Sequence, residues 1–534
     1  MAACCVRSRR RASWRRRPPP PSPDGGADLE SQLRRVHSLA LAGQLAAAHA
    51  LSASLAAARP DALLALSLHG TLSLQRGDTA AARHSLSRAH ELAPHDWRVA
   101  TNLAACLLSL GDSNGATPPA LAATRGAPAY AGAWQLLAKA RLGAGAADEA
   151  ERAAREAVRL DEEGRGGVAG GVADEAPLLT LCEALLARRE LEGAKAAAAR
   201  AAARAATPRA AAAAATLAAR VESAAGRHEA ALLALDAALK HDPSYDEARR
   251  TRLHAITPAL RAGLLPRPRD VFIATYPKSG TTWMQQVVCL LRGAPPHVDV
   301  QAAAPYVEAA LATGALTLRA LRERPAPRVF KTHADWQSLP VAGCSDEGPA
   351  EGVRVVCVVR DPRDVCVSLF HHSRAIRGIA YGGSWDEWCD DFLAGRAPVP
   401  MAAEGGDWFD HTLSWWAIAR RCPRRVLWVR YEGLLADPLG EVRRVARFLA
   451  PEHAEDEALL RRVVGASSFE QMKARHEADP LNHSLRTEGG SAHFRNGKAG
   501  DWRRHMSEAQ RERFAEVMRS RLRGSGLEDA LTFD

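Results

Sequence analysis

Lys278 stands two residues before Gly280, inside the run DVFIATYPKSGTTWMQQVVCLL at 270–291. Ser279, Thr281 and Thr282 set three hydroxyls beside that ammonium. An apolar run enters the segment, a short polar loop follows, and an amphipathic run leaves. A strand, loop and helix in this order aim backbone N–H groups and a helix N-terminus at an anion. Lys278 adds a full positive charge, and Gly280 lets the backbone come close to the ligand. The order is not that of a Walker A loop, where Lys directly follows the last Gly of GxxxxGK[ST]. Here Lys278 precedes Gly280 and the first Gly is missing.

The nine residues TYPKSGTTW (275–283) resemble the 5′-phosphosulfate loop of the cytosolic-type sulfotransferase family. Four further segments resemble that family's motifs in the same order, and together they cover about 262–534. The resemblance implies 3′-phosphoadenosine-5′-phosphosulfate (PAPS) as co-substrate and 3′,5′-adenosine bisphosphate (PAP) as released product. FKTHADW (330–336) resembles the KTH motif, which makes His333 the catalytic base. A neutral imidazole can take the proton that an acceptor hydroxyl must lose. Lys278 and Lys331 then stabilise negative charge on the bridging oxygen and the sulfuryl group. VVCVVRDPRDVCVSLFHHSR (355–374) resembles the 3′-phosphate site, with Arg360 forking two donors onto phosphate and Ser368 adding a hydroxyl. Arg363 is expected to pair with Asp361 or Asp364 on the surface, and His371 and His372 to be helix-face residues and not metal ligands.

WVRYEGLLADP (428–438) places Tyr431 where the family has a Tyr on the adenine edge. SSFEQMK (467–473) resembles the segment whose aromatic packs on adenine, so Phe469 and Trp283 sandwich the base, with Ser467 and Met472 beside it. FRNGKAGDWRRHMS (494–507) resembles the RKGxxGDWK signature, and Arg495, Asn496 and Gly497 close over the 3′-phosphate. Three departures stand out. Asn496 replaces the family's Lys, which removes one cation. Ala334-Asp335 replaces Leu-Pro after the KTH motif. Where the family's short dimer motif has Lys, then Thr-Val, then Glu, this chain has Arg503, Ser507-Glu508 and Glu512, so a charge at Glu508 stands where a small apolar contact belongs and the usual dimer is not expected.

Two different frames must carry these pieces. After about 256, the short β-branched runs VFIAT (271–275), VRVVCVV (353–359) and RVLWVRY (425–431) alternate with helical patterns. That texture predicts an α/β domain with a central parallel sheet, and the resemblance makes it a P-loop-like sulfotransferase fold over 262–534. Residues 27–255 are rich in Ala and Leu and predict an all-α region. Pro60, Pro94 and Pro128 lie 34 residues apart, and RGD (76–78), LGD (110–112) and AGR (225–227) mark turns between paired helices. This resembles the tetratricopeptide repeat and implies a helical solenoid that binds a protein partner. The stretch 160–175 breaks the period and reads as an insertion.

Residues 1–26 read as a disordered, Arg- and Pro-rich tail or an organelle-targeting segment. The net charge of +10 includes seven arginines ahead of Asp24, so the rest carries only +3. A nucleic-acid partner is therefore not indicated. The ten scattered cysteines suit a reducing compartment, and no run is apolar for the roughly 20 residues of a membrane span, so a cytoplasmic location is expected. The leading expectation is a metal-free, PAPS-dependent sulfotransferase acting on a small-molecule or macromolecular hydroxyl or amine. The alternatives are a repeat scaffold with an inactive nucleotide-binding domain, and a P-loop nucleotide kinase needing ATP and Mg²⁺. The acceptor is expected near 297–325 and 375–415, against Trp385–Trp388 and Trp408–Trp416.

Overall fold

The computed structural model describes residues 26–164, 175–339, 352–376, 379–398, 407–478 and 495–531. The chain divides into two compact units, Met1–Thr251 and Arg252–Asp534. Almost all of the basic tail, and residues 165–174 of the expected insertion, lie outside the described residues.

The first unit is an array of tetratricopeptide-like helical hairpins, for example Leu63–Gln75 with Thr79–Leu92, and Trp97–Ser109 with Ser113–Gly126. Each pair reverses on a left-handed residue. Gly43, Gly77, Gly111 and Gly145 hold φ between 76° and 81°, each 34 residues from the next. Gly226 does the same at 74°, whereas Arg189 takes that role at 61°. In two of these hairpins an aspartate caps the helix that follows. Asp78 accepts from the Ala81 N–H at 3.0 Å, and Asp112 from the Gly115 N–H at 2.8 Å. Small buried residues such as Ala82, Ala116, Ala150 and Ala194 let neighbouring helices approach closely.

The second unit is built on four parallel strands: β1 (Val271–Thr275), β2 (Val329–Thr332), β3 (Arg354–Val359) and β4 (Val426–Arg430). Their order in the sheet is β2-β1-β3-β4. One face is covered by helices Thr281–Leu291, Pro438–Leu449 and Glu457–Ala466, through Val287, Val445 and Leu460. The other is covered by Pro362–Ala375, Trp385–Leu393, Trp408–Arg421 and Glu508–Leu522, through Val365, Trp388, Trp408 and Phe514. Both faces are buried, which is why the strands read as unbroken apolar runs. At the entry edge, Arg328 and Asp270 form a fully buried ion pair, with Nε to Oδ1 at 3.0 Å, that pins β1 to β2. The exit edge, where β1, β2, β3 and β4 all end, is where the chemistry-bearing residues collect, as expected for open parallel sheets.

Candidate active site

β1 ends at Thr275 and the chain turns sharply before helix Thr281–Leu291. Two left-handed residues make the turn, Lys278 at φ 69° and Gly280 at φ 98°. Gly280 is required for a second reason: a Cβ there would lie 2.7 Å from Tyr431 Cδ2. The hydroxyl oxygen of the buried Ser279 has no hydrogen-bond partner. Thr281, by contrast, shares a 2.6 Å hydrogen bond with the Thr275 hydroxyl. Thr282 and Trp283, half-buried, begin the helix, and the Trp283 ring meets Tyr431 edge-on at 5.7 Å.

His333 follows β2 directly, and the pairing of Ala274 with Thr332 sets it beside the end of β1. Its Nδ1 lies 2.7 Å from the Thr275 carbonyl and 3.2 Å from the Thr275 hydroxyl. A carbonyl oxygen can only accept, so Nδ1 carries the proton and Nε2 is left as the acceptor. Burial, helped by Lys331, pushes the imidazole well below its usual range, so the ring is neutral near pH 7. Lys331 lies opposite Ile273 in the sheet, with its Nζ 4.6 Å over the Tyr306 ring. Burial brings its ammonium down to about 8, although the residue keeps some exposure. The Tyr306 ring also meets the His333 ring edge-on at 4.7 Å.

Arg360 leaves β3 and reaches in two directions. It donates to the Lys278 carbonyl at 3.3 Å and to the Lys498 carbonyl at 3.0 Å, with its guanidinium 4.4 Å over the Tyr431 ring. Its Nε is buried and has no partner. Asp364, one turn into the next helix, accepts from the N–H groups of Gly500 (2.7 Å) and Trp502 (3.0 Å). Ser368 lies one further turn along that helix and is half-buried. Phe469 packs directly on Gly497, whose φ of 67° and lack of Cβ make room for the ring. Ser467 and Met472 are buried on either side of Phe469. Arg495 pairs with Asp501, and Asn496 donates to the same carboxylate at 2.7 Å.

Lys278, Gly280, Trp283, Arg360, Tyr431, Phe469, Gly497 and Lys498 thus form one contact set; His333 adjoins it through Thr275, and Lys331 adjoins His333 through the Tyr306 ring. One expectation needs correction. Arg363 does pair with Asp361 (2.7 Å), but not at the surface: the side chains are 12% and 7% exposed, under Trp502. In the stretches expected near the acceptor, Trp388, Trp408 and Trp415 are buried at no more than 1% exposure, and Trp408 lines a small hollow with Ser279, Tyr276 and His411. Residues 377–378 and 399–406 of that region lie outside the described residues. Sequence reasoning gave no role to Thr275, Asp501 or Glu308, and named Asp364 only as a surface partner for Arg363. Thr275 lay inside the matched loop segment, and only its contact with His333, 58 residues away, gives it a role.

The sulfotransferase domain family matches residues 268–526. Sulfotransferase 1C2 of Homo sapiens is 30% identical over 268 residues, covering 49% of this chain and 86% of the human protein. Sulfotransferase 1A1 of Canis lupus familiaris is 31% identical over 277 residues, covering 49% and 86%. Among solved structures, a retinol dehydratase in complex with androsterone and inactive cofactor PAP overlaps 51% of this chain and 86% of its own, at 22% identity and a TM-score of 0.43. The chain belongs to the sulfotransferase family through its second unit. Among the described residues, no helix is long and apolar enough to cross a membrane.

Proposed function

We propose that this chain transfers a sulfuryl group from PAPS to a hydroxyl or amine acceptor, in the cytoplasm, with its repeats holding a protein partner. The observation that carries the reading is the 2.7 Å hydrogen bond from His333 Nδ1 to the Thr275 carbonyl. It presents an unprotonated Nε2 from a buried, neutral ring. As the acceptor oxygen or nitrogen bonds to sulfur and the bond from sulfur to the phosphate oxygen breaks, His333 takes the acceptor's proton. Lys278 and Lys331 stabilise the charge gathering on the leaving oxygen and the sulfuryl group.

The unpartnered Ser279 hydroxyl and Arg360 Nε support an anion cradle, since buried polar groups seldom go unsatisfied. Ser279, Gly280, Thr281 and Thr282 hold the 5′-phosphosulfate. Arg360, Ser368, Arg495, Asn496 and Gly497 hold the 3′-phosphate. Trp283, Tyr431 and Phe469, backed by Ser467 and Met472, take the adenine. These cations supply the charge that a metal ion supplies in kinases, so the reaction runs without one.

The test is incubation of the full chain with sulfur-labelled PAPS and a panel of phenols, steroids and amines, alongside calorimetric titration with PAP. Label should pass to at least one acceptor with release of one PAP per transfer. A protein that retains neither PAPS nor PAP would overturn the reading.

A further inference from the structure

Glu308, on helix Val307–Thr313, is 3% exposed and lies outside every motif discussed so far. Its Oε1 accepts from the Thr332 hydroxyl, and its Oε2 has no hydrogen-bond partner. Thr332 sits between Lys331 and His333, and its Oγ1 also accepts from the Ala334 N–H at 3.0 Å. The segment around Glu308 grips the same three residues throughout. The Lys331 N–H donates to the Pro305 carbonyl at 2.9 Å, and Tyr306 bridges to Lys331 in parallel register. The Tyr306 ring lies under the Lys331 ammonium and against the His333 imidazole.

A buried carboxylate with an unsatisfied oxygen is costly unless a cation lies near it. Lys331 is the cation that bears on Glu308, and Glu308 is the charge that bears favourably on Lys331. Burial pushes Glu308 up to about 7, offset in part by the Thr332 hydroxyl, a backbone N–H and Lys331, and burial pushes Lys331 down to about 8, offset by Glu308. His333 faces Lys331, and His411 and His372 face His333 from helices Trp408–Arg421 and Pro362–Ala375. Tyr306 faces both Glu308 and Lys331.

We propose that Glu308 is a positioning residue for sulfuryl transfer: its carboxylate keeps the Lys331 ammonium charged, and its bond to Thr332 fixes the end of β2 that presents His333. This rests on the preceding reading, in which Lys331 and His333 act on the transferring group.

Glu308→Gln keeps the volume and an acceptor for Thr332 but removes the charge. The titration of Lys331 is followed by NMR of protein labelled at lysine Cε, with the signal assigned by its loss in Lys331→Arg. The Lys331 midpoint should fall in Glu308→Gln, since the carboxylate is the charge that holds it up. The alkaline limb of kcat should move down by the same interval, with KM for PAPS within about twofold of wild type. If Glu308→Gln does not fold, Glu308→Asp, which draws the charge back by one methylene, should give a smaller shift in the same direction. A Lys331 midpoint that is unchanged in the folded variant overturns the inference. A wild-type protein that transfers no sulfuryl group, yet shows the lysine shift, overturns the functional reading and leaves the Glu308–Lys331 coupling intact.

Discussion

Tyr431 lies so close to Gly280 that a Cβ on the glycine would stand 2.7 Å from Tyr431 Cδ2. The same tyrosine meets Trp283 edge-on and lies under the Arg360 guanidinium. Gly280→Ala therefore adds a clash to the cost of placing an L-residue at φ 98°, which is about 1–2 kcal/mol by itself. PAP affinity should fall by about tenfold or more, since 1.4 kcal/mol is a factor of ten. Calorimetric titration of the variant checks this; wild-type affinity would show that the loop tolerates the methyl group.

The pH dependence follows from the two shifted groups. A depressed imidazole protonates only on acidification well beyond its ordinary range, so kcat should hold level through pH 6.5 and fall only well below it. Lys331 loses its proton as pH rises through about 8, so kcat should decline above that point. His333→Asn should lower kcat by about 10²–10⁴-fold while leaving PAP binding nearly unchanged. Rates at saturating PAPS across pH 5–10 test the profile, and an acid limb centred at or above the ordinary histidine value would contradict it.

Arg360 joins the loop at Lys278 to the segment at Lys498, and it is the cation assigned to the 3′-phosphate. Arg360→Ala removes hydrogen bonds to that phosphate worth about 1.5–3 kcal/mol each. The loss in PAP affinity should exceed the loss in 5′-AMP affinity by about tenfold or more, because 5′-AMP lacks the 3′ group. Equal losses for both ligands would mean that Arg360 serves only to brace the two loops.

Arg189 occupies a turn position that glycine fills in five other hairpins of the first unit. Arg189→Gly removes the strain of a left-handed side chain, partly offset by glycine's greater freedom in the unfolded chain. The variant should be more stable by about 0.5–1 kcal/mol. Thermal unfolding followed by helical circular dichroism checks this, and a lowered midpoint would indicate that the arginine side chain makes a contact worth more than the strain.

Legibility in the sequence tracked the distance over which a feature is encoded. The turn glycines at 77, 111 and 226, the strand at 271–275 and the loop at 276–280 are local, and each could be read from a few neighbouring residues. The partners of these pieces are not local. Asp364 meets Gly500 across 136 residues, and Arg328 meets Asp270 across 58. Nothing in either neighbourhood distinguishes these carboxylates from solvated ones. The tryptophans are ambiguous for a related reason. A ring in a helical run looks the same whether it faces a ligand or the core, and only the packing of helix Trp408–Arg421 against the sheet put Trp408 and Trp415 inside. Glu308 was hidden in the same way, since its partner Thr332 arrives from another element.

Thr275 binds two pieces of this edge together: its hydroxyl lies 2.6 Å from the Thr281 hydroxyl and 3.2 Å from His333 Nδ1, and its carbonyl lies 2.7 Å from the same nitrogen. On the proposed reading, the loop that would hold the donor and the imidazole that would take the proton are therefore anchored to a single shared residue.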